Sequence, residues 1–333
     1  MSHEIYQLEN GDYSMAFVGD TPWHGLGQEL NPGDPLEVWA EKAHLDWTIA
    51  ESSGIFYPAT ENRFQRPAEI PNRKVLYRED DKQFLSLVSN QYHVVQPIEV
   101  IEFFRDLIES GGFKMSTAGS LFNGQRIWAL AEIGETATIM GQDKIRGYLL
   151  LATSCDGSLA NTGQFTSVRV VCNNTMEMSI REGEAGNSRR YVKIPHSRKF
   201  DPNEMKAELG LAHKTFETFV ENADRLAQRK MKFEDAVKFF INLYRTKEEI
   251  ETETVDIGIA ANAFHVKNLV RLYQDEDLIT SKDTAWGAVN AVTRYYDHEK
   301  RAHNIDNRLN NAWFGEGANL KQQAWQEALK LAA

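Results

Sequence analysis

A chain of 333 residues, 42% hydrophobic and 26% charged, can bury a sizeable core unaided and is long enough for two domains, or for one domain with an appendage. Its formal net charge of −11 excludes a surface that is basic throughout, and with it indiscriminate polyanion binding. The two cysteines, Cys155 and Cys172, stand in no metal-ligand spacing, so no disulfide framework or zinc site is implied, and a reducing cytoplasm fits best.

Residues 1–45 are punctuated by Pro22, Gly25, Gly27, Pro32, Gly33 and Pro35 and read as an irregular N-terminal arm. The arm ends in a short helix at 36–44, with Leu36, Trp39, Ala40 and Ala43 on one side. Strand signals follow at 46–52, 54–58, 73–77 and 84–88, the last two joined by the charged hairpin loop Arg78-Glu-Asp-Asp-Lys. Tyr92-His-Val-Val reads as a further short strand. Pro97 suits the first turn of a helix, where its missing N–H is no loss. Val100, Ile101, Phe104, Leu107 and Ile108 form the buried stripe of that helix, and Gly111-Gly112 ends it. Strands are expected at 113–121, 126–133, 144–153 and 165–172, with Asn123-Gly124 as a hairpin turn and 134–142 as a connecting loop. From residue 203 the period turns helical, at 203–229, 234–244, 266–274, 281–298 and 319–331, interrupted by the acidic connector Glu248-Glu-Ile-Glu-Thr-Glu.

Strands first and helices later is the order of the α+β class: an antiparallel-rich sheet with a crossing helix, followed by a helical C-terminal region. The expected organisation is an arm at 1–45, a sheet domain with a basic loop at 46–200, and a helical region at 201–333.

Charge is unevenly spread. Residues 1–110 carry 8 basic and 19 acidic side chains, residues 111–200 carry 11 and 7, and residues 201–333 carry 18 and 22. Most of the positive charge of the middle third lies between Arg169 and Lys199. Arg189, Arg190, Lys193, Arg198 and Lys199 fall within eleven residues, interleaved with Tyr191 and Phe200. Cations neutralise phosphates and aromatic faces stack on unpaired bases, so this pattern points to a nucleic acid strand. Arg169, inside the apolar alternation Val168-Arg-Val-Val-Cys, and Arg181 flank the loop. In an extended stretch Arg189, Tyr191 and Lys193 share one face. The plainer reading is a solvated hairpin whose charge guards a sheet edge.

Catalytic patterns are sparse. Ser154-Cys-Asp-Gly-Ser offers a thiol, but no neighbouring histidine activates it, and Asp-Gly is ordinary turn chemistry. The histidines form no HxH or HExxH spacing, and there is no Walker loop and no GxGxxG. No catalytic residue, metal or cofactor is therefore expected. The glycine-flanked Trp23 reads as an anchor for the arm. The first residues lack the basic start and apolar core of a signal peptide. No apolar run approaches the roughly 20 residues that span a bilayer.

Several stretches together resemble the phage/plasmid-like protein family, domain of unknown function 932. They are Pro22-Trp-His-Gly-Leu-Gly, Tyr92-His-Val-Val-Gln-Pro, Ser154-Cys-Asp-Gly-Ser and Arg169-Val-Val-Cys-Asn-Asn-Thr. Thr284-Ala-Trp-Gly-Ala-Val-Asn-Ala-Val-Thr-Arg-Tyr-Tyr-Asp-His and Trp313-Phe-Gly-Glu-Gly add to them near the C-terminus. Cys155 departs from the family, which often carries His there. The resemblance implies a mobile-element setting and the cytoplasm of a phage, plasmid or bacterial host, without naming a substrate. The element order is similar to the β-β-β-α core of Rad52-like single-strand annealing proteins, an analogy of fold alone.

The expectation is a non-enzymatic DNA-binding protein of replication or recombination that takes single-stranded DNA in a basic groove and assembles as a homo-oligomer. Its contact residues would be Arg169, Arg181, Arg189, Arg190, Tyr191, Lys193, Arg198 and Lys199, with Phe200 as a second stacking ring. Two alternatives stay open. One is a protein-interaction or anti-defence factor docking on a host protein through Trp286, Tyr295, Tyr296, Trp313 and Trp325. The other is an enzyme whose pocket assembles from distant residues such as His24, Asp156 and His298.

Overall fold

Alternating residues in the first half and helical spacing in the second resolve into the expected α+β architecture. The computed structural model describes residues 11–19, 25–60, 63–64, 66–169, 174–177, 180–182, 187–189, 191–209, 212–245, 264–276, 280–301 and 305–333. In chain order the first elements are β1 (Met15–Val18), β2 (Gln28–Leu30), α1 (Leu36–Lys42), β3 (Ile49–Phe56), β4 (Ala59–Thr60) and β5 (Arg63–Phe64). Then come β6 (Ala68–Arg78), β7 (Phe84–Ser89), α2 (Pro97–Glu102), α3 (Arg105–Gly111) and β8 (Lys114–Leu121). The long strands β9 (Arg126–Ile139), β10 (Asp143–Ser154) and β11 (Asn161–Arg169) precede four short ones. These are β12 (Asn174–Glu177), β13 (Ile180–Glu182), β14 (Asn187–Arg189) and β15 (Val192–Ile194). The helices α4 (Pro202–Leu209), α5 (Ala212–Gln228), α6 (Phe233–Asn242) and α7 (Phe264–Gln274) follow. The last three are α8 (Ala285–Arg294), α9 (Ile305–Phe314) and α10 (Glu316–Ala332).

The main sheet has the order β12-β11-β10-β9-β8-β1-β2, and β15 also pairs with β11. It is mixed, because β1 and β2 run parallel while β1/β8, β8/β9, β11/β12 and β11/β15 are antiparallel. A separate antiparallel sheet has the order β3-β6-β7. The chain divides into two compact units. One comprises Met1–Gly134, Tyr148–Gln164 and Arg189–Gly210, and the other Glu135–Gly147, Phe165–Ser188 and Leu211–Ala333.

In the first unit, β1 lies so close to β8 that a Cβ on Gly119 would fall 2.5 Å from both Ser14 O and the Trp128 ring. Glycine there is a steric requirement. Gln96 opens α2 with a capping box to Glu99, and its side chain also bonds both backbone groups of Ile49, at 2.8 and 3.1 Å. That ties the start of the helix to β3. In the second unit Trp286 on α8 donates its indole N–H to Asp143 at 2.9 Å, with both side chains buried. Phe219 stacks on Trp325 at 4.8 Å to form the centre of the helical core.

Several local expectations change: residues 134–139 are not connecting loop but the far part of β9, and the strands expected at 46–52 and 54–58 are the single β3. The N-terminal arm supplies two sheet strands, β1 and β2, too short for alternation to announce them. Residues 92–95 are not a strand but loop, entered through a turn at Asn90 and Gln91 that the Tyr92 N–H closes on Ser89 O at 3.0 Å. The helix begun at Pro97 breaks at Phe103 and Phe104, which are both buried and meet edge to face. Beyond Arg294 the helix widens into a π turn at Tyr295–Glu299, which brings Asp297 to the buried Lys321. Among the described residues, no helix is long and apolar enough to cross a membrane.

Candidate nucleic-acid interface

The basic stretch becomes β15 and the chain that leaves it. Residues alternate as a strand with one buried face should: Val192, Ile194 and His196 are buried, while Lys193, Pro195 and Ser197 are exposed. β15 pairs with β11 through Asn161↔Ile194, Thr162↔Lys193 and Gly163↔Val192. Lys193 and Tyr191, two residues apart, share the outer face. The Lys193 ammonium lies 4.0 Å from the centre of the Tyr191 ring, in cation–π contact. Arg198 and Lys199 are exposed beyond Pro195, and Phe200 turns inward against Phe103.

His196 anchors the segment. Its ring stacks on Tyr92 at 4.3 Å and 15°. Its Nδ1 faces His93 O at 2.9 Å and its Nε2 faces Leu159 O at 3.1 Å. The backbone N–H of His93 returns a bond to His196 O at 2.7 Å. Burial pulls the imidazole below its ordinary pKa, against the opposing pull of the two carbonyls. Tyr92 in turn donates its hydroxyl to Ser154 O at 2.6 Å. Thus Tyr92-His-Val-Val and Ser154-Cys-Asp-Gly-Ser, far apart in sequence, meet on a histidine from the basic stretch.

The turn after β10 is built to be rigid. Ser154 Oγ accepts the Leu159 N–H at 3.0 Å. Asp156 accepts from the backbone N–H and the hydroxyl of Ser158, at 2.9 and 2.6 Å. Gly157, at φ 77°, makes the left-handed step this requires. Arg126, buried under the turn, donates to Ser158 Oγ at 2.6 Å. Burial opposes ionisation of Asp156, but the Ser158 donors, Ser154 and the charge on Arg126 hold its carboxyl below its ordinary range. The Cys155 thiol lies 3.5 Å from Gln125 O, and burial pushes its pKa up to about 12. A thiol so placed stays protonated at neutral pH and is a poor nucleophile.

Of the eight residues expected to hold DNA, four have described side chains. Tyr191, Lys193, Arg198 and Lys199 lie along one segment of the first unit. Arg198 already meets a carboxylate, Glu204, at 2.7 Å. Arg189 closes β14, Arg169 closes β11, and Arg181 is the middle residue of β13. The side chains of these three lie outside the described residues, as does Arg190 altogether. Phe200 is buried and cannot stack on a base, which corrects that part of the expectation. Trp286, Tyr295, Tyr296 and Trp325 are likewise core residues and not docking anchors. Cys172, Trp23 and His24 fall outside the described residues, while Asp156 and His298 belong to different units. The sequence reading missed His196 and Tyr92 as the pieces that fix the strip. The available signal was a polar residue at a position where strand alternation calls for an apolar one.

Among the described residues no group of three or more His, Cys, Asp or Glu side chains could hold a metal ion. The family model for domain of unknown function DUF932 matches residues 84–313. No curated protein and no solved structure matches the chain.

Proposed function

The chain belongs to the DUF932 family, whose description names no chemistry, and from the geometry of β15 we propose that it binds single-stranded DNA without acting as an enzyme. One observation carries the reading: a tyrosine ring and a lysine ammonium share the outer face of a strand whose inner face is pinned by Val192, Ile194 and His196. A fixed ring is a stacking platform for an unpaired base, and fixed cations beside it accept the phosphates on either side. Lys199 extends the strip. Arg198 joins it when a phosphate displaces Glu204, since an exposed ion pair holds only about 0–1 kcal/mol. The acidic remainder of the surface would keep the strand on the strip. Assembly into a homo-oligomer would set the strips of neighbouring copies in line, the arrangement a Rad52-like annealing protein needs.

Fluorescence anisotropy with a labelled single strand, titrated at several salt concentrations, tests the reading. Binding should weaken steeply with salt. Lys193→Ala and Lys199→Ala should each flatten the log–log slope by about 0.7. Tyr191→Ala should weaken binding by about 1–3 kcal/mol at every salt concentration. A duplex of the same sequence should bind more weakly. Absence of binding at micromolar protein in low salt, or binding indifferent to all three substitutions, removes the proposal.

A further inference from the structure

β3 and β6 fall out of step at one place. Ser53 pairs with Lys74 and Ile55 with Glu69, so the β6 residues from Ile70 to Arg73 stand opposite Gly54 alone. Pro71 has no N–H to give to a ladder. Asn72 sits at φ 56°, in the left-handed region that asparagine tolerates better than most side chains. On its other edge the bulged segment is held to β7 by the Arg73–Ser89 pair and by the Asn90 N–H donating to Asn72 O at 3.2 Å. A Cβ on Gly54 would lie 3.1 Å from Leu87 Cδ1 and 3.4 Å from Ile70 Cδ1, so these two side chains close over the glycine. A bulge of this size gives up ladder bonds, and bulges commonly re-aim side chains beside a site.

The bulge opens a cleft of about 350 Å³, open to solvent, whose polar walls include Ser52, Ser53, Glu69, Asn72, Arg73 and Asn90, all exposed side chains. That volume lies at the low end of small-molecule sites, and the lining is more polar than theirs usually is. The charge on Lys74 is already answered by Glu51 at 2.7 Å. Among the described residues, the Arg73 guanidinium, the Asn72 and Asn90 amides and the Glu69 carboxylate meet no hydrogen-bonding or ion-pair partner.

We propose that this cleft binds a sugar phosphate. A ligand must satisfy both signs of charge on the walls. Arg73 calls for an anion with two acceptors on one edge, which a phosphate presents to a planar guanidinium. Glu69 calls for hydroxyl donors, which a phosphate dianion lacks and a sugar has. The amides and serine hydroxyls give and take hydrogen bonds with a polyol. Ile70, which lines the cleft, offers an apolar surface for its C–H face. A free sugar phosphate and the 5′-phosphorylated end of a nucleic acid strand present the same group.

Isothermal titration of the full chain with ribose 5-phosphate, ribose and inorganic phosphate tests the proposal. A second series uses a short oligonucleotide with and without a 5′-phosphate, in a Tyr191→Ala, Lys193→Ala background that removes the proposed strand contacts. Saturable binding of ribose 5-phosphate, with ribose and inorganic phosphate each about tenfold weaker or more, supports a free ligand. A 5′-phosphate increment for the oligonucleotide, abolished by Arg73→Ala, supports a strand end. Arg73→Ala should lower affinity about tenfold or more, the effect of losing a charge-assisted bidentate contact, and Arg73→Lys should restore only part of it. Asn72→Gly keeps the left-handed turn while deleting the amide, and it should weaken binding with the unfolding midpoint nearly unchanged. No saturable binding at millimolar ligand in either series overturns the proposal. So does binding indifferent to Arg73→Ala, or inorganic phosphate binding as tightly as ribose 5-phosphate.

Discussion

Removing either member of the Asp297–Lys321 pair should do more damage than removing both. Lys321 Nζ lies 2.7 Å from Asp297 Oδ1, and the two side chains are 4% and 6% exposed. At an effective dielectric of about 20, opposite charges at that distance attract by about 6 kcal/mol, and desolvating the two ions takes back several kcal/mol for each. The pair is therefore close to neutral in net stability. A buried ion that loses an opposite charge is not. Lys321→Met removes this counter-charge from a buried carboxylate, and Asp297→Asn removes it from a buried ammonium. Each should lower stability by about 3–5 kcal/mol. The double variant should lose less than either single one, a coupling of at least about 2 kcal/mol. Urea unfolding followed by tryptophan fluorescence measures this, because Trp286 and Trp325 sit in the same helical core. Unchanged slopes with shifted midpoints would assign the effect to the native state. Single losses under about 1 kcal/mol, or a double loss equal to the sum of the two, would refute the account of the π turn as the device that seats this charge.

Three further outcomes follow from the packing. Burial lowers the His196 and His44 pKa values, so between their folded values and about 6.5 the unfolded chain binds more protons than the folded one. Stability should be complete above about pH 6.5 and fall on acidification, and His196→Gln should reduce that slope in unfolding midpoints taken from pH 8 to 5; an unchanged slope would contradict the buried neutral imidazole. In a Cys172→Ser background, Cys155 should react with a thiol reagent only at the rate of unfolding, since it is buried and its pKa is pushed up to about 12; fast labelling of the native protein would contradict that placement. Gly287→Ala should destabilise by about 3 kcal/mol or more, because its Cβ would fall 1.9 Å from Ser281 O. Gly54→Ala, with only the mobile tip of Leu87 at 3.1 Å, should change the midpoint by less than about 1 kcal/mol, and equal effects would sink the steric reasoning.

The parts of this fold that were legible are those whose signal is local. The charged loop between β6 and β7 is a hairpin, and Asn123-Gly124 makes its tight turn with φ values of 58° and 93°. The helical stripes of α5, α6 and α7 place Phe216, Phe219, Phe240 and Leu269 in the core as their spacing requires. What stayed hidden depends on partners distant in sequence. β1 and β2 are four and three residues long, and their place in the sheet rests on contacts such as Ser14 Oγ with Ser120 Oγ, 106 residues away. His196 looked like one more polar residue in a basic tail until Tyr92 and Leu159 closed around it.

The cleft on the three-stranded sheet shows the same thing from the other side. The expected strands break between 52 and Gly54 and begin again at 73, just past Pro71-Asn72; glycine and proline punctuate and asparagine favours turns. In the fold neither ends anything: β3 runs on through Gly54, and β6 begins at Ala68 and continues past both residues. The two interruptions face one another, and their coincidence is what makes the bulge. A glycine inside a strand pattern signals a bulge or a close backbone approach, and a proline there removes a ladder bond. Opposite each other in two paired strands, they mark a place where the sheet gives up regularity on both sides at once. Departures of this kind concentrate where a fold serves something besides its own stability. It is therefore in keeping that unpartnered polar side chains gather at this bulge, while the turn at Ser154–Ser158, equally rich in polar groups, spends its hydrogen bonds on itself.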